Sequence, residues 1–301
     1  MAKKTSIAKA IAVGRSMAAD TLKRRRKAAR RRQKALAKAK AKSMIGKGPL
    51  AHVSAGVLIA EGDSWFDYPF ADVLSELEDS HGFDVESVAH KGDNVEDMAY
   101  SGGQLDEFSR CVEKVVRSGA APRAILLSGG GNDVAGDEFA MLVNHASSSI
   151  AGLNDAIVRG IIEERVRDAY ATILSSITSI CEALLGRVVP IVVHGYDYPV
   201  PDGRGFAGGW GPLPGPWFEP AFRRKGYGAM TVRKEICADV IDRFNAMLSS
   251  FAGKPPFAHV RYLDLRGTLS TGASYKDWWA NELHPTRKGF EAVTRKFAAI
   301  V

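Results

Sequence analysis

The chain of 301 residues has little cysteine, only Cys111, Cys181 and Cys237. They are odd in number, far apart and without CxxC spacing. This excludes a disulfide framework and a cysteine zinc site, and makes a reducing, cytoplasmic compartment the expectation. No apolar run approaches the roughly 18 residues that cross a bilayer. Signatures of several enzyme classes are also missing. There is no GxSxG elbow, no Walker A loop and no HExxH, and the triple glycine at 129–131 lacks GxGxxG spacing.

Another absence is regional. Residues 1–50 hold one acid, Asp20, against 17 Lys and Arg, whereas the rest of the chain has 24 basic and 33 acidic residues. A basic arm at 1–50 therefore precedes a mildly acidic body at 51–301. The stretch LKRRRKAARRRQKALAKAKAK, Leu22 to Lys42, has almost nothing apolar to bury. It is expected outside the core, disordered or helical only on an anionic surface. No apolar h-region follows the charges, so it is not a secretory signal, although organelle transit peptides share its Arg richness. Nucleic acid or an anionic membrane is the partner its charge fits. Without interleaved aromatics, base stacking is not expected.

The body alternates short apolar runs with longer amphipathic segments. The runs are Val53–Ala60, Phe83–Ala89, Ala124–Leu127, Arg187–Val193 and His259–Leu265. The expected helices are Ala71–Ser80, Gln104–Arg117, Asn154–Leu185, Thr231–Phe251 and Thr286–Ala299. Strand and helix in alternation predict an α/β domain with a mostly parallel sheet. A Gly-, Pro- and aromatic-rich segment at 196–228 interrupts the rhythm. Its Phe206, Trp210, Trp217 and Phe218 favour an ordered flap or pocket wall, since exposed aromatics are unfavourable unless packed.

Ligands of open parallel sheets bind beyond the carboxyl ends of the strands. Polar residues gather after each apolar run: Gly62-Asp63-Ser64, then Lys91-Gly92-Asp93-Asn94, then Ser128 to Asp133 (SGGGND), then His194-Gly195-Tyr196-Asp197. Beyond the fifth run comes WWANELHPT, Trp278 to Thr286. A serine becomes a nucleophile when a histidine takes its proton, and its oxyanion needs aimed donors. Ser64 with its own N–H, the Gly92 N–H, the Asn132 amide and His284 as base form such a set. Asp63, Trp65, His194, Tyr196, Trp210 and Trp217 are candidate substrate contacts. Asp67 is a candidate cap or His284 partner. With an ordinary His284, hydrolysis falls below roughly pH 6.5.

With these blocks in this order, the chain resembles the SGNH hydrolases, the GDSL esterase and lipase superfamily. The matching residues are Gly62-Asp63-Ser64, Gly92, Gly130-Gly131-Asn132-Asp133 and Asn281-Glu282-Leu283-His284-Pro285, over about residues 55–300. The resemblance implies a flavodoxin-like three-layer α/β/α sandwich with a five-stranded, mostly parallel sheet. It also implies hydrolysis of a small-molecule, lipid or sugar ester without cofactor or metal. Ser64 would be the nucleophile, His284 the base, and Ser64, Gly92 and Asn132 the oxyanion hole. One departure stands out: the family's aspartate three residues before the histidine is Asn281 here. This leaves a Ser64–His284–Asn281 triad, support from Glu282, or a dyad resting on a backbone carbonyl. A catalytically impaired binding module is the alternative.

Overall fold

The structure is a computed structural model and describes residues 2–39, 54–208 and 213–301. Five parallel strands form the central sheet: β1 (Val57–Glu61), β2 (Asp84–Ser87), β3 (Pro122–Leu127), β4 (Ile191–His194) and β5 (Val260–Leu263). Their spatial order is β2-β1-β3-β4-β5. The register runs Ala60 beside Ser87 in β2, Glu61 beside Leu127 in β3, Leu127 beside Val193 in β4, and His194 beside Leu263 in β5. β1, β3 and β4 are buried almost throughout, and they read as near-continuous Val, Ile and Leu for that reason.

The longer helices are α1 (Ala2–Ala39), α2 (Val73–His81), α3 (Val95–Tyr100), α4 (Gly102–Arg117), α5 (Arg167–Leu185), α6 (Met230–Ser249) and α7 (Arg287–Ile300). α2 packs on α7, and α4 packs on α5. The right-handed crossovers of a parallel sheet place these pairs on opposite faces, giving a three-layer α/β/α sandwich. The strand order reverses direction between β1 and β3, and this crevice is where doubly wound sheets bind ligands.

The five expected strands are present, each shifted or trimmed by a few residues. The long helix expected at Asn154–Leu185 occurs as Asp155–Gly160, a π turn at Ile161–Val166, and α5. α3 and a two-residue hairpin pairing Val143–Asn144 with Gly152–Leu153 were not expected.

The first part of the basic arm is helical and packs on the body: α1 lies along α5 and also touches α4. Ala10, Ala18, Thr21 and Leu22 are buried there. Hydroxyls of α5 reach backbone carbonyls of α1, Thr172 to Ala10 (3.2 Å), Ser175 to Ile11 (3.0 Å) and Ser176 to Gly14 (2.9 Å). Arg25 forks onto Glu113 of α4 at 3.1 and 2.7 Å. Ile7, Ile11, Met17 and Leu22 pack there at helical spacing beside these small residues and polar bonds, an apolar stripe that the density of charge obscured. Residues 40–53, the end of the arm and the first three residues of the body, lie outside the described residues. Among the described residues no helix is long and apolar enough to cross a membrane.

Candidate active site

Ser64 follows β1 in a tight turn closed by Phe66 N–H on the Asp63 carbonyl (3.0 Å), well before α2 begins. The turn is held by buried Asp63. Its Oδ1 accepts from the Trp65 N–H (3.0 Å) and the Ser128 hydroxyl (2.7 Å), and its Oδ2 from the Tyr196 hydroxyl. Asp63 thus ties the loops after β1, β3 and β4 together.

The loop at the other end of the chain brings His284 to this turn. Ser64 Oγ lies 2.7 Å from His284 Nε2, and His284 Nδ1 lies 3.1 Å from Asn281 Oδ1. The same Asn281 oxygen accepts the backbone N–H groups of Leu283 and His284, each at 2.9 Å. Two backbone donors identify that atom as the oxygen, so the facing Nδ1 must carry the ring proton. Nε2 is then the free lone pair toward Ser64. The Asn281 amide N–H donates to the Tyr68 hydroxyl at 3.0 Å, and the Tyr68 ring stacks on His284 at 4.1 Å. Trp217 meets the imidazole edge-on at 5.6 Å. His284 is buried, and burial lowers its pKa to about 3. This imidazole therefore differs from the ordinary histidine, titrating near 6.5, on which the sequence expectation rested.

Glu282 is turned away from His284. Its carboxylate is buried and accepts four backbone N–H groups of the flap: Gly203 (2.9 Å) and Glu219 (3.1 Å) on Oε1, Trp217 (2.6 Å) and Phe218 (2.7 Å) on Oε2. Burial raises its pKa, and the four donors oppose that rise. Asp67 is also not a partner of His284; its Oδ2 accepts the Lys91 N–H at 3.0 Å and so fixes the loop after β2.

Gly92 in that loop has φ +89°, a conformation in which only glycine is unstrained. Neither its N–H nor that of Ser64 meets an acceptor among the described residues. Asn132 Nδ2 donates to the Asp93 carbonyl at 2.9 Å, leaving its second N–H free. Asp133 accepts the Val95 N–H at the start of α3 (2.9 Å), and burial raises its pKa to about 6. It joins the loop after β3 to the one after β2.

Two spaces meet at Ser64, Asn132, Leu283 and His284. One is a narrow pocket of about 50 Å³ running under the flap toward α6, with Val134, Phe139, Phe218, Val240 and Phe244 among its walls. A β-carbon at Gly130 would sit 2.4 Å from the Phe244 ring, so glycine there lets the ring close the pocket. The other is an open cleft of about 400 Å³, walled by Tyr68, Lys91, Gly92, Phe206 and Trp217. Asp63, Trp65 and Tyr196 line the narrow pocket, and Trp217 the cleft.

His194 lines neither space. It is fully buried against Trp65, Phe66 and Phe297, with Nδ1 3.0 Å from the Gly195 carbonyl and a pKa lowered by burial. As the last residue of a central strand its side chain turns into the core rather than over the rim. Trp210 lies outside the described residues. Tyr68 contacts both His284 and Asn281. Among the described residues no three His, Cys, Asp or Glu side chains gather as metal ligands.

No protein-family model matches the sequence, and no curated protein matches it. Solved structures do align with it. A protein from Slackia heliotrinireducens, provisionally assigned as an SGNH hydrolase, matches over 82% of this chain and 98% of its own at 12% identity, TM-score 0.43. The carbohydrate acetylesterase Est24 from Sinorhizobium meliloti matches over 81% and 97% at 13% identity, TM-score 0.42. The acetylxylan esterase Axe2 from Geobacillus stearothermophilus matches over 83% and 95% at 15% identity, TM-score 0.34. Identities and scores this low transfer neither a substrate nor a residue role.

Proposed function

We propose that the chain is a serine-dependent carboxylic ester hydrolase of the SGNH type, with Ser64 as nucleophile and His284 as base. The observation that carries this reading is the 2.7 Å contact between Ser64 Oγ and His284 Nε2, with the ring proton held on the opposite nitrogen by Asn281. In the first step the Ser64 proton passes to Nε2 as Oγ bonds to the ester carbonyl carbon. The carbonyl oxygen becomes an oxyanion facing the Ser64 N–H, the Gly92 N–H and the free N–H of Asn132. Collapse breaks the bond to the alcohol oxygen, which takes the proton from His284. Water then attacks the acyl-enzyme, gives its proton to Nε2, and the acid leaves as Ser64 regains its hydrogen. No cofactor enters this scheme.

The two spaces divide the substrate. A pocket of about 50 Å³ holds a short acyl group, and the open cleft of about 400 Å³ accepts a bulkier alcohol. The test is labelling with a fluorophosphonate, followed by mapping, beside p-nitrophenyl acetate hydrolysis by wild type and Ser64→Ala. Modification at Ser64 and loss of turnover in the variant are expected. Equal turnover by both proteins would remove Ser64 from the mechanism.

One observation favours a catalytically impaired, acyl-binding protein instead: the partner of His284 is a neutral amide in a buried setting. A labelled but non-turning-over Ser64 would identify that case. For the arm, exposed Lys9, Arg15, Lys23, Arg26 and Lys27 on the outer side of α1 favour a polyanion tether. Salt-sensitive binding to nucleic acid or anionic vesicles, lost without residues 1–50, is its test.

A further inference from the structure

Past Tyr68 the catalytic cleft opens into a second groove of about 380 Å³. Tyr68, Pro69 and Phe206 wall both spaces, so an alcohol moiety longer than one ring must leave Ser64 across them. Two residues on the groove's far side are there against their own local preference.

Phe70 is 93% exposed, which leaves a large apolar ring in water. It also has φ +79°, a left-handed conformation that strains a bulky side chain and that glycine or asparagine adopts more readily. Among the described residues nothing packs on the ring to offset either effect. Arg287 opens α7, whose first turn has no acid, although the positive end of a helix disfavours a cation. It is 69% exposed and makes one loose contact, 3.5 Å to Glu76. Its guanidinium therefore keeps donors free over the groove.

We infer that this groove is a distal subsite for the alcohol half of the ester, and that it takes a sugar ring stacked on Phe70 with its hydroxyls on Arg287. The inference rests on the reading of Ser64 as nucleophile. An alkyl chain gains most from enclosure, which the narrow pocket provides and this open groove does not. A pyranose has an apolar C–H face for an aromatic ring and a hydroxyl edge for a guanidinium and for water. The groove offers one partner for each.

The experiment compares p-nitrophenyl acetate, whose leaving group ends within the cleft, with acetylated cellotetraose and octyl acetate. Phe70→Ala is expected to raise KM for the acetylated tetrasaccharide about tenfold and leave p-nitrophenyl acetate unchanged. Phe70→Trp should restore the wild-type KM, and Phe70→Gly should melt no lower than wild type because it relieves the strained backbone. Arg287→Ala should show the same selectivity with a smaller effect. In parallel, calorimetry follows unmodified cellotetraose binding to Ser64→Ala with and without Phe70→Ala. A wild type inert on all three esters, with cellotetraose binding still lost in Phe70→Ala, would overturn the hydrolase reading and keep the groove. An active wild type whose Phe70→Ala variant handles the tetrasaccharide normally would overturn the groove. So would a loss confined to octyl acetate, which would make it an alkyl site.

Discussion

Asn281 is the residue at which the site departs from an acid-supported triad, and its consequence is electrostatic rather than geometric. Two backbone N–H groups fix its oxygen toward Nδ1, so the imidazole tautomer suits a general base. No negative charge stabilises the imidazolium, and burial holds the His284 pKa near 3. A base so far below working pH is a weak proton acceptor. The kcat/KM profile of wild type should therefore stay level from pH 7 to below pH 5; a titration midpoint near 6.5 would contradict the buried, neutral ring. Asn281→Asp keeps the acceptor and adds the charge, so its acid limb should move up in pH and kcat at pH 7 should rise at least about tenfold. The same ring links pH to stability. Its folded pKa lies below the ordinary value of about 6.5, so below that pH the unfolded chain binds a proton the folded one refuses. Stability is lost as pH falls from 6.5 toward 3, by an amount on the order of 4–5 kcal/mol in full. His284→Gln should lose less stability between pH 7 and pH 4 in urea melts.

Among the elements, the flap is held by several side chains, Arg204 and Tyr275 among them, and Glu282 is the fully buried one. Glu282 gathers the backbone donors of Gly203, Trp217, Phe218 and Glu219, and Trp217 then stands against His284. Glu282→Gln keeps one accepting oxygen but turns an NH₂ toward two donors, and each buried group left unpaired costs about 1–3 kcal/mol. The variant should melt lower and label more slowly with fluorophosphonate at Ser64. Its acid limb should rise toward the ordinary histidine range as water reaches the ring, and an unchanged pH profile would mean the flap does not desolvate His284. The order of strands and the clustering of Ser64, Gly92, Asn132 and His284 were legible because both follow local rules, apolar runs and the polar residues just past them. Glu282 was not, because its partners lie more than sixty residues away in sequence and are backbone groups. His194 misled for a related reason. Its position past an apolar run resembled the rim, but only the strand's facing decides where the imidazole points, and here it enters the core.

At the scale of the whole molecule, the basic arm is the part that composition described least well. Its charges suggested a solvated tail, whereas the side of α1 facing the body carries Ile7, Ile11, Met17 and Leu22 at helical spacing, with Ala10, Gly14 and Ala18 between them. At Gly14 the two helices approach closely: a β-carbon there would sit 2.3 Å from the Thr172 carbonyl oxygen of α5. That distance gives Gly14→Ala opposite signs in the two descriptions. In a free or separately helical arm, alanine favours helix over glycine by about 1 kcal/mol, and the change is neutral or stabilising. In the docked helix the added methyl meets backbone that cannot rotate away, so α1 and α5 must separate. The hydroxyl bonds from Thr172, Ser175 and Ser176 then lengthen or break. Overpacking of this kind costs about 1–3 kcal/mol. Gly14→Ala should therefore lower the urea midpoint and speed tryptic cleavage within residues 2–27, while kcat/KM on p-nitrophenyl acetate is unchanged, since α1 does not line the cleft. A variant as stable as wild type would return the arm to the solvated tail its charge suggested.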